Sequence, residues 1–129
     1  MTDRLYVLDA SALLSLLFQE PGADHVEARL PRALVSAVNY HEVLAKLIDR
    51  GVKPNEASSM LAELDVDIIA VDREQANIGG AFHAATRSAG LSLGDRSCLA
   101  LAQLHDGVAV TTNQAWTTLD IPVQVELAR

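Results

Sequence analysis

Short apolar runs rich in β-forming residues alternate along this chain with stretches of helical spacing, and that alternation restricts the fold more than any other feature. Runs 5–8, 33–38, 66–71 and 108–111 read as strands. After the first run, 10–18 has the apolar density of a buried helix. Residues 23–30 then set Ala23, Val26 and Leu30 at helical spacing until Pro31 stops them. Asn39 with Glu42 three residues on fits a capping box, so the third helix is expected to begin there and end before Gly51. Pro54 suits the first turn of a fourth helix, which carries Met60, Leu61 and Leu64 on one face. Asp72 is placed to cap a long helix ending at Gly90. Gly79 and Gly80 inside it cost about 2 kcal/mol of helix propensity relative to alanine, which predicts either close packing or a kink. From Gly94 and Asp95 a further helix carries Cys98, Leu99, Leu101, Ala102 and Leu104 inward. Residues 113–119 read as a short helix, and 122–125 as an edge strand that tolerates its proline. Strands alternating with helices imply an α/β domain: a central, mostly parallel sheet of four to five strands, helices on both faces and right-handed crossovers.

The 129 residues suit a single domain spanning 1–129, and half of them are apolar, enough for a sizeable core. The longest nearly unbroken apolar stretch, 10–18, falls well short of the ~18 residues that cross a bilayer. No basic leader precedes the first strand, so no membrane association and a cytoplasmic location are expected. One cysteine, Cys98, makes neither an internal disulfide nor a thiolate zinc cluster. A formal charge of −7 is the wrong sign for a protein that coats nucleic acid nonspecifically. Clustered carboxylates can hold cations, however, so a metal-dependent nuclease stays open.

In open parallel sheets, ligands sit beyond the carboxyl ends of the strands, where strand order reverses. Asp9 ends the first strand, Glu42 lies in the first turn of the helix after the second, Asp95 opens the helix before the fourth, and Asn113 follows the fourth. All four map to that edge. Converging carboxylates repel unless a cation or proton intervenes, and hard oxygen donors suit Mg²⁺ or Mn²⁺. Taken singly, Glu42 and Asp95 are better explained as helix-dipole caps. Asp9 directly follows a buried strand, does not cap that strand, and must find another partner. Mg²⁺ usually takes few protein carboxylates and leaves positions for water and a phosphate oxygen, which fits phosphodiester hydrolysis.

Four segments carry a family resemblance: Val7-Leu8-Asp9-Ala10-Ser11-Ala12-Leu13, Asn39-Tyr40-His41-Glu42-Val43, 91–100 with Gly94-Asp95-Arg96, and Thr111-Thr112-Asn113-Gln114-Ala115-Trp116. In order and spacing they resemble the motifs of PIN domains and, more narrowly, VapC-type toxins of toxin–antitoxin pairs. The resemblance spans nearly the whole chain and is most specific at 91–100. It implies a single PIN-like domain with Mg²⁺- or Mn²⁺-dependent endoribonuclease activity, an RNA substrate, an inhibitory cognate antitoxin protein and a homodimer. Carried over residue by residue, Asp9, Glu42 and Asp95 stand at the family's catalytic, metal-holding acids. Asn113 stands where many members have a fourth Asp. Its amide oxygen can ligate a hard cation but adds no charge.

Around these, Ser11 either bonds the Asp9 carboxylate or a water at the metal, or simply caps the helix, and Thr112 is a weaker case of the same. Arg96 reads as a cation that orients a carboxylate, and Trp116 as core. No histidine spacing suggests zinc; His105 suits a helix C-terminus. Arg29, Arg32, Arg50 and Arg87 are basic residues available for RNA, but sequence does not place them on a surface. The alternative function is a catalytically silent PIN-like interaction module whose metal binding is weakened by Asn113. A phosphoryl-accepting domain fits badly, because Asp9 lacks a second Asp two residues on and Lys46 and Lys53 are not at a strand end. No Gly-x-Gly-x-x-Gly follows the first strand for dinucleotide binding. Asn113→Asp is expected to tighten Mn²⁺ binding, and a titration with unchanged affinity would contradict that.

Overall fold

The computed structural model describes residues 4–129. Strands β1 (Tyr6–Leu8), β2 (Ala33–Ser36), β3 (Asp67–Ile69), β4 (Val108–Thr111) and β5 (Gln124–Leu127) form one sheet in the order β3-β2-β1-β4-β5. Every pairing is parallel. The sheet is therefore wholly parallel, where the sequence reading left room for a mixed one. From the central β1 the chain moves outward through β2 and β3, then crosses back to β4 and β5. Strand order thus reverses between β1 and β4. Leu8 lies opposite Val110, so the next residues, Asp9 and Thr111, emerge side by side at the carboxyl edge.

Both faces of β1, β2 and β4 are covered, which is why these three read as continuous apolar runs. Leu8, Val35 and Val110 point to one side and pack against α1 (Ala10–Leu17), α2 (Ala23–Arg29), α3 (Ala37–Asp49) and α4 (Pro54–Ala62). Val7, Leu34 and Ala109 point to the other, against Phe82, Leu91 and the inner face of α7 (Leu93–Leu104). Trp116 is 1% exposed in this second core, as expected for it. Among the described residues, no helix is long and apolar enough to cross a membrane.

Several boundaries differ from the sequence reading, β3 shrinking from 66–71 to Asp67–Ile69 among them. Helix α3 begins at Ala37, because the Ser36 hydroxyl accepts the Val38 N–H (3.3 Å) and caps it at the end of β2. Asn39 is consequently interior to the helix, and Glu42 falls in its second turn. The expected long helix 73–89 is broken into α5 (Arg73–Ala81), α6 (His83–Thr86) and a 3-10 turn at Arg87–Ala89. The break follows the glycine pair, and Gly79 also packs closely on α7: a Cβ there would lie 3.5 Å from the Arg96 carbonyl oxygen. Both consequences of the glycines are therefore present. Strand β5 starts two residues beyond Pro122, whose missing N–H keeps it out of the ladder. That edge strand is tied to α2 by Glu126, which accepts from Arg29 Nε (2.8 Å) and bonds His25 Nε2 (2.7 Å).

Candidate active site

Asp9 sits at the junction of β1 and β4 and is 3% exposed. Its Oδ1 accepts from Ser11 Oγ (2.7 Å) and from the Ala12 N–H (2.8 Å), and its Oδ2 from Thr111 Oγ1 (2.6 Å). It thereby caps α1, a local partner that its position after a strand did not suggest. The two hydroxyls extend the bond network into the loop after β4: Ser11 Oγ accepts the Thr112 N–H (3.0 Å) and Thr111 Oγ1 the Asn113 N–H (3.1 Å). Burial pushes the Asp9 carboxyl up to about 6, against the lowering effect of the Thr111, Ala12 and Ser11 hydrogen bonds; the charge of Asp95 adds to the rise. The ion pairs found among the described residues engage Glu126, and none engages Asp9, Glu42 or Asp95.

Glu42 reaches the same edge from α3. Asn39, fully buried one turn earlier, donates its amide to Glu42 Oε1 (2.9 Å) and to the Gly94 carbonyl (3.1 Å), fastening α3 to α7 across the sheet edge. Asn39 is therefore a positioning residue for Glu42, where its spacing had read as a helix cap. Its own Oδ1 is buried without a donor. A Cβ on Gly94 would overlap the Glu42 carboxylate, so only glycine leaves that carboxylate its place. Asp95 occupies the first turn of α7 in a capping box: Asp95 Oδ2 accepts the Ser92 N–H (2.9 Å) and Ser92 Oγ the Asp95 N–H (3.2 Å). Capping and a role at the site coexist, since Asp95 Oδ1 is left without a hydrogen bond among the described residues. The charges of Asp9, Asp95 and Glu42 all add to the burial that pushes the Cys98 thiol well up, so all three acids lie within electrostatic reach of that point of α7.

The other residues singled out from sequence separate into two groups. Ser11 touches Asp9 as anticipated. For Thr112 the contact is made by its backbone, and Thr111 supplies the hydroxyl instead. Asn113 stands exposed beyond β4 with its Oδ1 accepting the Ala115 N–H (3.0 Å), capping the 3-10 turn Gln114–Thr118. Arg96 orients no carboxylate; its Nε donates to Thr86 Oγ1 (2.8 Å), joining α7 to α6. Thr111 was the residue sequence reasoning missed, and the signal for it is the β1–β4 register, which sets it beside Asp9.

The donors fit a hard divalent cation in chemistry: carboxylate oxygens, one pair of them buried on Asp9 and the others half-buried on Glu42 and Asp95, with none in an ion pair among the described residues and the one thiol buried. Among the described residues, no three histidine, cysteine, aspartate or glutamate side chains form a group able to hold a metal ion by themselves. An ion here would depend on water and substrate oxygens for its remaining ligands, which is how Mg²⁺ is commonly held.

Residues 6–121 match the PIN domain family model, and the chain belongs to that family. No curated protein matches its sequence. Among solved structures it is similar to a toxin–antitoxin complex from Klebsiella pneumoniae, at 23% identity over 96% of this chain and 98% of that one, TM-score 0.77. It is similar also to the DNA-bound VapBC of Salmonella typhimurium, at 14% identity over 98% and 99% of the chains, TM-score 0.76. VapBC-5 from Mycobacterium tuberculosis is a further match, at 19% identity over 98% of each chain, TM-score 0.60. At these identities the likeness establishes the fold.

Two outcomes are expected. Gly94→Ala should displace the Glu42 carboxylate and lower Mn²⁺ affinity about 10- to 100-fold while the protein still folds; calorimetric titration beside a thermal melt checks both. In metal-free protein, Asp9 binds its proton more tightly when folded, so its stabilising contribution is complete below pH 3.8 and lost as pH rises through about 6. Urea unfolding in chelator should show Asp9→Asn gaining on the parent by on the order of 3 kcal/mol between pH 4 and 8. A pH-independent difference would contradict the burial of an unpaired charge.

Proposed function

We propose that this protein is a metal-dependent endoribonuclease, the toxin of a toxin–antitoxin pair, using Mg²⁺ or Mn²⁺ held by Asp9, Glu42 and Asp95. One observation carries the reading: a buried carboxylate, Asp9, shares a sheet edge with two further acids, and among the described residues no ion pair offsets them. Membership of the PIN domain family and the similarity to toxin–antitoxin complexes support it. A divalent ion bound there supplies Lewis-acid chemistry, easing proton loss from water and offsetting charge that builds on a phosphodiester. The chain's own contribution is to hold its oxygens in place before substrate arrives. Ser11, Thr111 and Ala12 fix both Asp9 oxygens, Asn39 fixes Glu42, and the Ser92 capping box fixes Asp95. Hydrolysis by water needs no covalent intermediate on the protein. An antitoxin partner and a homodimer belong to the same reading, the former supported by the similarity to toxin–antitoxin structures.

A second reading, a silent interaction module, is favoured by Asn113, which adds no charge and whose amide oxygen is already taken by the Ala115 N–H. RNA end mapping separates the two. Total RNA incubated with the pure protein and Mn²⁺ or Mg²⁺ should acquire discrete new ends that disappear with chelator and with Asp9→Asn. Identical end profiles in all samples would overturn the nuclease and leave the module.

A further inference from the structure

Beside the Asp9 network lies a cavity of about 350 Å³ between α1 and α3, walled by Ser11, Phe18, Lys46, Arg50 and Thr112. Ser11 and Thr112 are the residues whose hydroxyl and N–H join α1 to the loop after β4, so the cavity shares a wall with the candidate active site. Glu42 and Lys46 lie one turn apart on α3 and Arg50, its C-cap, follows four residues later on the same side, each step about 6 Å along the axis. The Arg50 guanidinium lies over the Phe18 ring, 4.3 Å from its centre, which steadies a long side chain otherwise free in water. Glu20 and Asp49 also line the cavity. Neither forms an ion pair with Lys46 or Arg50 among the described residues. The two cations stay available for an anion from outside.

We propose that Lys46 and Arg50 bind the RNA backbone phosphates next to the one cleaved, so that the strand runs along α3 from the carboxylates into this cavity. The inference rests on the nuclease reading and adds to it the path of the substrate. Physical need supports it: the chain carries −7 overall and its candidate site is acidic, so a polyanion must gain its attraction from local cations. Lys46 and Arg50 share a cavity with both Ser11 and Thr112 of the Asp9 network, whereas Arg129 shares one with Thr112 alone, and the four-residue step from Lys46 to the C-cap of α3 advances about 6 Å, roughly one nucleotide's length of backbone. Phosphate contacts of this kind fix register and carry no sequence preference.

The test is binding of a fluorescein-labelled oligouridylate in chelator, where no cleavage occurs, across a series of salt concentrations. Lys46→Gln and Arg50→Gln should each weaken binding and each flatten the slope of log affinity against log salt by about 0.7. Lys46→Arg should restore the slope, Lys53→Gln on α4's approach should leave it unchanged, and all variants should melt with the parent. Parental slope and affinity in both glutamine variants would overturn the proposal, as would a parent that does not bind the probe. Variants that keep RNA affinity but lose binding to oligoglutamate would show a protein segment as the occupant and overturn it as well. These results are separate from RNA end mapping: discrete metal-dependent cleavage with unaltered binding in the variants sinks the path along α3 and leaves the nuclease standing.

Discussion

The hydrogen bonds that hold Asp9 tie together the two central strands, the first helix and the loop after β4. Ser11, Ala12 and Thr111 satisfy its oxygens without neutralising its charge, and burial makes that charge costly. A sheet-edge carboxylate in this condition stores a demand for a cation or a proton. The topology explains why it sits where it does: order reverses between β1 and β4, the opening at which parallel sheets bind ligands.

The other two acids are held near the same edge by contacts within and between α3 and α7, at the cost of an Asn39 Oδ1 left buried without a donor. Asn39 bridges Glu42 to the backbone of α7, and Gly94 yields the volume that the Glu42 carboxylate occupies. Asp95 serves α7 as a cap with one oxygen and keeps the other. At Asp9 and Asp95 a helix start thus serves local structure and also faces the candidate site, so for these two the capping explanation and the functional one do not compete. Glu42, in the second turn of α3, caps nothing.

Much of this was legible in the sequence, for identifiable reasons. The strands β1, β2 and β4 announced themselves because they are largely buried on both faces and read as apolar runs, and the acids because they fall near element ends that a parallel fold must bring together. Asn39 was misread because Asn-x-x-Glu satisfies a cap pattern whichever residue truly caps, and Ser36 at the strand end competes for that place. Thr111 carried no signal without the β1–β4 register. Lys46 and Arg50 were invisible as a pair because they lie one and two turns beyond Glu42, away from any strand end, and only the packing of α1 on α3 gives them a shared cavity. The break after Gly79 and Gly80 was foreseeable as a kink or a close contact, and the structure uses both.

Proton release on metal binding tests the central claim most directly, because it reads the state of Asp9 itself. Calorimetric Mn²⁺ titration at pH 5.5, in buffers of different ionisation enthalpy, should show the greater part of one proton released per ion bound. At pH 8 the release should vanish, and Asp9→Asn should release none at either pH. Mn²⁺ binding to the parent with no proton released at pH 5.5, or with the same release in the Asn variant, would mean that the buried carboxylate is not what awaits the ion.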